Sequence, residues 1–512
     1  MIFDIAIIGF GVIGTELLFK LSKNIKKKQK VKIAVIEKNI QNIPGGVAYS
    51  QKNSKFGFFN NPLRLSSPEF INWIKKEKNI NRLIKFIKEN KDYKLESWLR
   101  RNKDFESKKI KNFDEIYFPR LTYSFFLEDK IKKILNFSDE KKISLYFFEG
   151  ELTKIKKKNL LLCNTRRCII QYKPTFRFEK IIFTKKIKKN SSSFITRNII
   201  LGNGILPPKI INNNSIRNSN YIWDFYSEGG TLNLINKIKK IRNKKIINVV
   251  FIGNKAGLLE TMPELENFTA NLNYKIKITT IAPNNLSLEK AEHSNKFTKF
   301  KFKFLLKKNI RKIKKSDEIL KILIKEFNYA KKNGYNKYDV WTWVLKKNLI
   351  SDCYNKLSST EKEKYNDFIF PKIRNITRYT YPGTIYAKKR LEKKKLLKYV
   401  NDKVLNLEDF NGSILIKTNR GKKIISDILI NVSGPVDLIN IGKEVSFIKS
   451  LKDISNDYNY RGFIADQNFS ISKNIYAPGT ISSNFNPNRL TIIKAVTQNS
   501  HKVSGQILKS LK

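Results

Sequence analysis

The chain has 512 residues, more than one hydrophobic core usually serves, so two or three domains are expected. Lys and Arg total 102 against 44 Asp and Glu, a formal net charge of +58, yet the excess runs through the whole chain among abundant Ile, Asn, Phe and Tyr, the set an A+T-rich coding sequence produces. That spread argues against a specific nucleic-acid site, which needs basic residues on one surface; the three cysteines are too few for a disulfide framework, and neither histidine has neighbours at ligand spacing, so no metal is expected.

At the start, the apolar run Phe3 to Ile8 breaks into Gly9-Phe10-Gly11-Val12-Ile13-Gly14. In this G-x-G-x-x-G pattern Gly9 permits a tight turn, Gly11 lets backbone approach a pyrophosphate and Gly14 lets helix and strand pack closely. Free N–H groups from Val12 and Ile13 face the anion. An amphipathic helix follows (Ile13, Leu17, Leu18, Leu21), then a second strand, Val31 to Ile36, ending in Glu37, whose carboxylate is placed to accept ribose hydroxyls. Nothing ahead of the first strand reads as a signal peptide and no apolar run approaches the roughly 18 residues that span a bilayer, so a cytoplasmic protein is expected.

Next come Gly45-Gly46-Val47-Ala48-Tyr49-Ser50, then Phe58-Phe59-Asn60-Asn61-Pro62, then Phe70 to Trp73. A glycine pair lets a chain pass under a flavin ring, and Asn60 and Asn61 either supply amide donors to flavin carbonyls or form a surface turn before Pro62. Trp73, with Phe70 and Ile74 at helical spacing, reads as core.

The order E…GG-x-AYS…N-x-P…F-x-x-W resembles the bacterial FAD/NAD(P)-binding flavoproteins distantly related to the ornithine and lysine N-hydroxylases. The resemblance continues through Phe118-Pro119-Arg120-Leu121-Thr122-Tyr123, the turn after Asn198 to Leu201 with Gly202 and Gly204, and the stretch Asp352 to Pro382. It implies flavin contact for Gly46, Ala48, Asn60 and Asn61. Residues 83–135 read as covering helices. From 143 to 200, short apolar or alternating runs predict a small antiparallel sheet between the two halves of the flavin domain. Cys163 and Cys168 fall there as strand residues; the turn beside the flavin, Gly46-Val47-Ala48, carries no thiol, which argues against dithiol chemistry.

A second strand-and-turn, Ile246 to Ile252 then Gly253-Asn254-Lys255-Ala256-Gly257, looks like the NAD(P)H motif of two-dinucleotide flavoproteins, with Gly253, Asn254 and Gly257 as its contacts. Lys255 stands where the family places Gly, and Ala282-Pro283-Asn284 where relatives carry basic residues suited to a 2′-phosphate. NADPH and NADH therefore both stay open, as does loss of the site. Residues 290–400 are helical and basic: Ser316-Asp317 is expected to cap a helix with Ile319, Leu320, Leu323, Ile324, Phe327 and Ala330 on one face, and Ser358-x-x-Glu361 another. Trp341, Trp343 and Tyr354 read as packing. Asp427 to Pro435 resembles the return to the flavin domain. Asn474 to Thr480 resembles the turn meeting the FAD ribityl-phosphate, with Gly479 and Thr480 in contact and Thr480 in place of an acid. The helix from Thr491 would aim its N-terminus at the flavin.

The expected fold is α/β with two dinucleotide-binding, Rossmann-like domains, a small antiparallel sheet and a helical insertion: 1–207 and 431–512 for FAD, 246–430 for NAD(P) with the insertion at about 290–400. The resemblance implies an FAD-dependent oxidoreductase of monooxygenase type, in which NAD(P)H reduces flavin and O2 oxygenates a small molecule; no acid–base triad is visible and no catalytic residue is assigned. The alternatives are a catalytically decayed flavin- or nucleotide-binding protein and, behind it, a polyanion-binding protein. Substrate and oligomeric state have no signal in the sequence.

Overall fold

The computed structural model describes residues 2–50, 57–90, 92–102, 105, 113–141, 143–157, 160–177, 180–188, 193–211, 216, 218–241, 244–254, 256–271, 275–283, 288–294, 297–441, 445, 447–459, 462–482 and 492–511. Lys255, Asn284 and Thr491 lie outside them. The chain opens with β1 (Ile2–Ile8), α1 (Val12–Asn24) and β2 (Lys32–Glu37), then short helices at Pro68–Ile74, Glu77–Asn90 and Tyr93–Arg101 and the long α2 (Arg120–Lys141). Four strands follow, β3 (Ser144–Lys157), β4 (Leu161–Arg177), β5 (Lys180–Lys188) and β6 (Ser193–Leu201). A second series consists of β7 (Tyr221–Ile222), β8 (Ile246–Ile252), α3 (Ala256–Asn271) and β9 (Lys275–Ala282). After it come the insertion helices α4 (Ser316–Lys332) and α5 (Lys337–Lys346), then α6 (Pro382–Lys393), β10 (Leu397–Asn401) and β11 (Ile428–Asn431). The chain closes with a helix at Phe447–Ile454, β12 (Ser470–Ser472), β13 (Ile475–Tyr476) and α7 (Ile492–Ser510).

Two sheets organise this order. The first runs β12-β13-β6-β1-β2-β3-β4-β5 from edge to edge, with β13, β6, β1, β2 and β3 parallel. Its central strands are apolar on both faces because both are covered. Ile5, Ile7, Ile33 and Val35 face α1, α2 and α7, whereas Ala6, Ile8, Ala34 and Ile36 face the helix at Phe447–Ile454. That last helix, with Phe447, Ile448 and Leu451, packs on the first sheet. The second sheet, β10-β9-β8-β11-β7, is wholly parallel. A separate three-stranded antiparallel sheet, Val404–Phe410, Ser413–Thr418 and Lys423–Ser426, sits between β10 and β11 in the chain.

The antiparallel strands expected between 143 and 200 form, but not as a sheet of their own. β3 pairs parallel with β2 along six residues and antiparallel with β4, so the meander continues the main sheet. β3, 14 residues long, outruns β2 and carries β4 and β5 past it. Cys163 is buried in β4 opposite Ile155, where burial pushes its thiol pKa up to about 12. The side chain of Cys168 is outside the described residues.

In the insertion three details differ from expectation. Ser316 is the first residue of α4 rather than its cap: Lys315 holds the cap position, its N–H donating to Glu318 three residues on, as does the N–H of Lys314, while the N–H of Ser316 donates to the carboxylate of Glu361. Glu361 is thereby drawn out of a reciprocal capping box, although Ser358 still accepts from its N–H at 3.3 Å. Ile324 is exposed, while Ile319, Leu323, Phe327 and Ala330 enter the insertion's core with Trp341, Trp343 and Tyr354 packed around them. Among the described residues no helix is long and apolar enough to cross a membrane.

Candidate functional site

The first glycine turn sits where the C-terminal ends of β1, β2 and β6 meet. Gly9 has φ +87° and donates its N–H to Ile36 O at 2.7 Å; Gly202 donates to Ile8 O at 2.7 Å. A Cβ on Gly9 would stand 2.7 Å from Gly202 O, and one on Gly14 would stand 2.6 Å from Gly9 O, so both are held bare by protein atoms. Gly11 differs. It precedes the first helical residue of α1, and a Cβ there would meet nothing of the protein nearer than Gly45 O at 3.6 Å. Gly46, at φ +63°, lies against it, since its Cβ would come 3.0 Å from Gly11 Cα. The two glycine turns, 34 residues apart in sequence, are thus one surface, with Ala48 in the short helix Gly46–Tyr49 beside it.

Glu37 ends β2 and is only 8% exposed; its carboxylate accepts from Phe10 N at 2.8 Å and Asn39 N at 3.2 Å. Burial pushes its pKa up, against the pull of those N–H donors. Ile13 reaches across to the last turn, where a Cβ on Gly479 would stand 2.5 Å from Ile13 Cδ1. Thr480 donates to Gly204 O, which is how an uncharged residue is used at that position. α7 is tied to the same place through Asn499 Nδ2 on Pro478 O at 3.0 Å. Gly9, Gly11, Val12, Ile13, Gly14, Glu37, Gly46, Ala48, Gly202, Gly204, Gly479 and Thr480 therefore converge. The buried Oδ1 of Asn203 in the β6 turn has no protein partner. An open face at Gly11, helix N–H groups from Val12 onward, a carboxylate beside them and an orphaned acceptor fit a dinucleotide with a pyrophosphate and a ribose. Asn60 and Asn61 follow Phe59, whose ring centre lies 6.0 Å from that of Tyr49 in the short helix. Asn60 is exposed, and its Oδ1 accepts from Thr380 Oγ1 at 3.3 Å, joining the loop to the insertion.

The second turn repeats two backbone hydrogen bonds of the first. Gly253, at φ +109°, donates to Ile281 O at 2.8 Å and Val432 N donates to Ile252 O at 2.9 Å, matching Gly9 on Ile36 and Gly202 on Ile8. This register pairs Gly257 with Ile13 and Leu258 with Gly14. Gly257 consequently packs on Val432, whose Cγ1 would lie 2.6 Å from its Cβ, in a mirror image of Ile13 against glycine. Ala282 occupies the place of Glu37, so no carboxylate stands where the first site has one. Thr280 Oγ1 instead binds Gly253 O at 3.0 Å, and Asn254 lines a cavity of about 170 Å³ with Leu258, Leu288, Lys388 and Tyr399.

Two charged clusters had no sequence signal. The first joins the two sheets: Arg120, at the start of α2, pairs with Glu260 on α3. The second joins the insertion to the flavin side. His293 Nδ1 bonds Asp339 Oδ1 at 2.8 Å, its Nε2 lies 3.0 Å from Glu115 Oε2, and Arg64 Nε donates to Glu115 at 2.6 Å. Asp339 is fully buried and is also the capping carboxylate of α5, accepting from Asn336 N and from Ser294. Beside this cluster, Trp98, Arg101, Glu115, Tyr117, Glu292 and Tyr381 surround a cavity of about 360 Å³. Among the described residues there is no group of His, Cys, Asp or Glu that would hold a metal.

Burial pushes the His293 pKa down, but hydrogen bonds to Asp339 and Glu115 raise it above 6.5 overall. A folded pKa above the unfolded one contributes stability that is present below about 6.5 and lost as pH rises through the raised value. The melting-temperature gap between wild type and His293→Gln is therefore expected to be largest near pH 5.5 and to shrink by about pH 8.5. A gap that is flat across that range would refute this role.

Comparison with known proteins agrees with the geometry. The family model described as FAD-NAD(P)-binding matches residues 6–182. No curated protein matches the sequence. Among solved structures, the FAD-bound cadaverine monooxygenase of desferrioxamine biosynthesis from Erwinia amylovora aligns at 12% identity and TM-score 0.50, over 99% of this chain and 94% of that one. Reduced ornithine hydroxylase from Pseudomonas aeruginosa aligns at 11% identity and TM-score 0.51 over the whole of both chains. Thioredoxin reductase from Lactococcus lactis aligns at 10% identity and TM-score 0.43 over 99% of each. Residues 6–182 match the FAD-NAD(P)-binding family model, and the chain has the two-dinucleotide-domain fold of the cadaverine monooxygenase and the ornithine hydroxylase.

Proposed function

We propose that the protein is an FAD-dependent monooxygenase that takes electrons from NADPH or NADH and oxygenates a small nucleophilic substrate. The observation that carries this is the repetition of one dinucleotide turn on two sheets, with the same two backbone bonds in each: Gly9 on Ile36 and Gly202 on Ile8, Gly253 on Ile281 and Val432 on Ile252. Two such turns serve two dinucleotides. The proposed organisation is 1–207 with 431–512 for FAD, and 246–430, including the insertion, for the nicotinamide.

In this reading the N–H groups of α1 and the bare Gly11 hold the FAD pyrophosphate, Glu37 holds its ribose, and Gly46, Ala48, Asn60 and Asn61 border the ring. Gly202, Gly204, Gly479 and Thr480 close the far side. Gly253, Asn254 and Gly257 shape the second turn. When bound, FAD supplies the redox chemistry; the chain's part is to bind, orient and keep water out. Two observations favour oxygenation over dithiol reduction. No thiol stands at Val47 or Ala48, and the buried Cys163 is held protonated. Two of the three structures named above are a cadaverine monooxygenase and an ornithine hydroxylase, named for amines. The 360 Å³ cavity suits a small organic cation, having aromatic walls and two carboxylates, Glu115 and Glu292. Although burial pushes the pKa of Glu115 up, His293 and Arg64 hold it below the ordinary carboxylate value, so it stays charged. We propose a small-molecule substrate there and no specific nucleic acid as partner.

The test is spectroscopic. Purified protein is expected to show flavin absorption, to bleach under nitrogen with NADPH or NADH, and to consume O2 faster when small primary amines are added. Flavin that neither nucleotide bleaches would leave the decayed protein as the better reading, and absence of flavin would overturn both.

A further inference from the structure

Two carboxylates one turn apart on α3, Glu260 and Glu264, point into the first unit rather than into water. Glu260 is paired with Arg120, both side chains 16% exposed, and it is also hydrogen-bonded by the Tyr226 hydroxyl. Its backbone carbonyl accepts from Lys94 Nζ at 3.3 Å. Lys94 and Glu264 are each 6% exposed and face one another across the same joint. The Lys94 ammonium also lies 5.4 Å from the ring centre of Phe58. Two cations from the flavin side thus meet two carboxylates from the helix of the second dinucleotide turn, in a chain where most cations are solvated.

Arg120 does more than close a pair. Its backbone N–H donates to Gly57 O at 2.9 Å and its Nε to Phe58 O at 3.2 Å, and a Cβ on Gly57 would stand 3.0 Å from its Cδ. The guanidinium therefore lies across the loop that leads to Asn60, and it touches the start of α2, that loop and α3 together. Glu260 follows the first helical residue of α3, Ala256, by about one turn. Rotation of the second sheet against the first about this joint would pull the pair apart and give up its charge-assisted hydrogen bond.

We propose that Arg120 and Glu260 form a latch that sets the angle between the two dinucleotide units, and so are positioning residues for electron transfer from nicotinamide to flavin. This role rests on the reading that NAD(P)H reduces the flavin. The latch fixes where the α3 N-terminus, and any dinucleotide held by it, stands relative to the Gly45–Gly46 surface. Reaction rates are sensitive to displacement of about 1 Å in such geometry.

The test compares wild type, Glu260→Gln, Arg120→Lys and the swap Arg120→Glu/Glu260→Arg, all as flavin-loaded protein. Glu260→Gln is expected to keep its flavin and its KM for the nicotinamide nucleotide, while the saturating anaerobic reduction rate falls about 10- to 100-fold. Small-angle scattering should show an enlarged radius of gyration, and amides of α3 and of Phe58 should exchange faster. The swap should recover part of the rate and the compact profile. Should Glu260→Gln lose its flavin, Arg120→Lys, which keeps the charge and loses the fork, carries the same comparison. Wild-type rate with a wild-type scattering profile in the single variants would overturn the latch. If wild type itself is not reduced by either nucleotide, the functional reading fails, while scattering and exchange still decide the latch.

Discussion

Gly11→Val is expected to give a folded protein that purifies without FAD, whereas Gly9→Val is expected not to fold properly at all. The contrast follows from what each Cβ would meet. At Gly9 a side chain would enter at φ +87° and press within 2.7 Å of Gly202 O, so β1 and β6 must part, and Ile7 and Ile200 with them, both fully buried. At Gly11 the backbone is already extended, φ −77° and ψ −152°, and the nearest protein atom, Gly45 O, is at an ordinary 3.6 Å. What valine would fill there is the approach to the α1 N-terminus, the space a pyrophosphate needs. The expected readout is a flavin-to-protein ratio near zero for Gly11→Val, with circular dichroism unchanged and, at most, a modest loss of melting temperature from the missing ligand. Full flavin in Gly11→Val would remove the cradle assignment, and a flavin-free Gly11→Val that is also unfolded would show that Gly11 serves packing instead.

The first cradle was legible because its parts are local: strand, turn, helix, second strand and Glu37 fall within the first 37 residues, and each leaves a pattern of its own. What pairs with the turn was less so. Gly202 and Gly479 were found by resemblance, and that they touch Gly9 and Ile13 is a fact of sheet order, which period-2 patterns do not specify. The same limit explains the strands from 144 to 201, whose character was readable and whose partners were not. In the second turn the glycines were visible, and Lys255 in the place of a glycine suggested a damaged copy of the first. Register shows that Gly257 answers Ile13 and packs on Val432, so a glycine was counted that has a different task. Charge pairs were the least legible. Arg120 and Glu260 are separated by 140 residues, His293 and Glu115 by 178, and a chain with 102 basic residues gives no reason to single out any one of them. Ser316 shows the reverse error: a good capping residue type stands beside the helix start, but Glu318 back-bonds the N–H of Lys315 and sets the cap one residue earlier.

Lys130→Met is expected to be the most destabilising conservative change in the first unit. Lys130 lies in the middle of α2, its side chain 5% exposed, with Nζ 2.6 Å from Glu16 Oε2 and 2.7 Å from Glu69 Oε2. Glu16, on α1, has a side chain with no exposure at all, and its other neighbours, Tyr123 Oη at 3.5 Å and His501 Nε2 at 3.7 Å, are too distant to replace an ammonium. The ammonium also stands 4.9 Å and 4.7 Å from the ring centres of Phe19 and Phe126, so methionine would keep the volume and the aromatic contacts while removing the charge. Stranding one partner of a buried pair costs about 3–5 kcal/mol, a large part of the roughly 5–15 kcal/mol that holds a domain folded. Its melting transition should fall by on the order of 10 °C. Glu16→Gln combined with Lys130→Met removes both buried charges, leaves the half-exposed Glu69 to water, and should regain part of that loss. Because α1 carries the flavin cradle at its N-terminus and Glu16 is its fifth residue, the single variant should also release FAD at a lower temperature than wild type, in step with the melt. A Lys130→Met protein that melts within about 2 °C of wild type would mean that Glu16 is carried by water or by a proton instead of by Lys130.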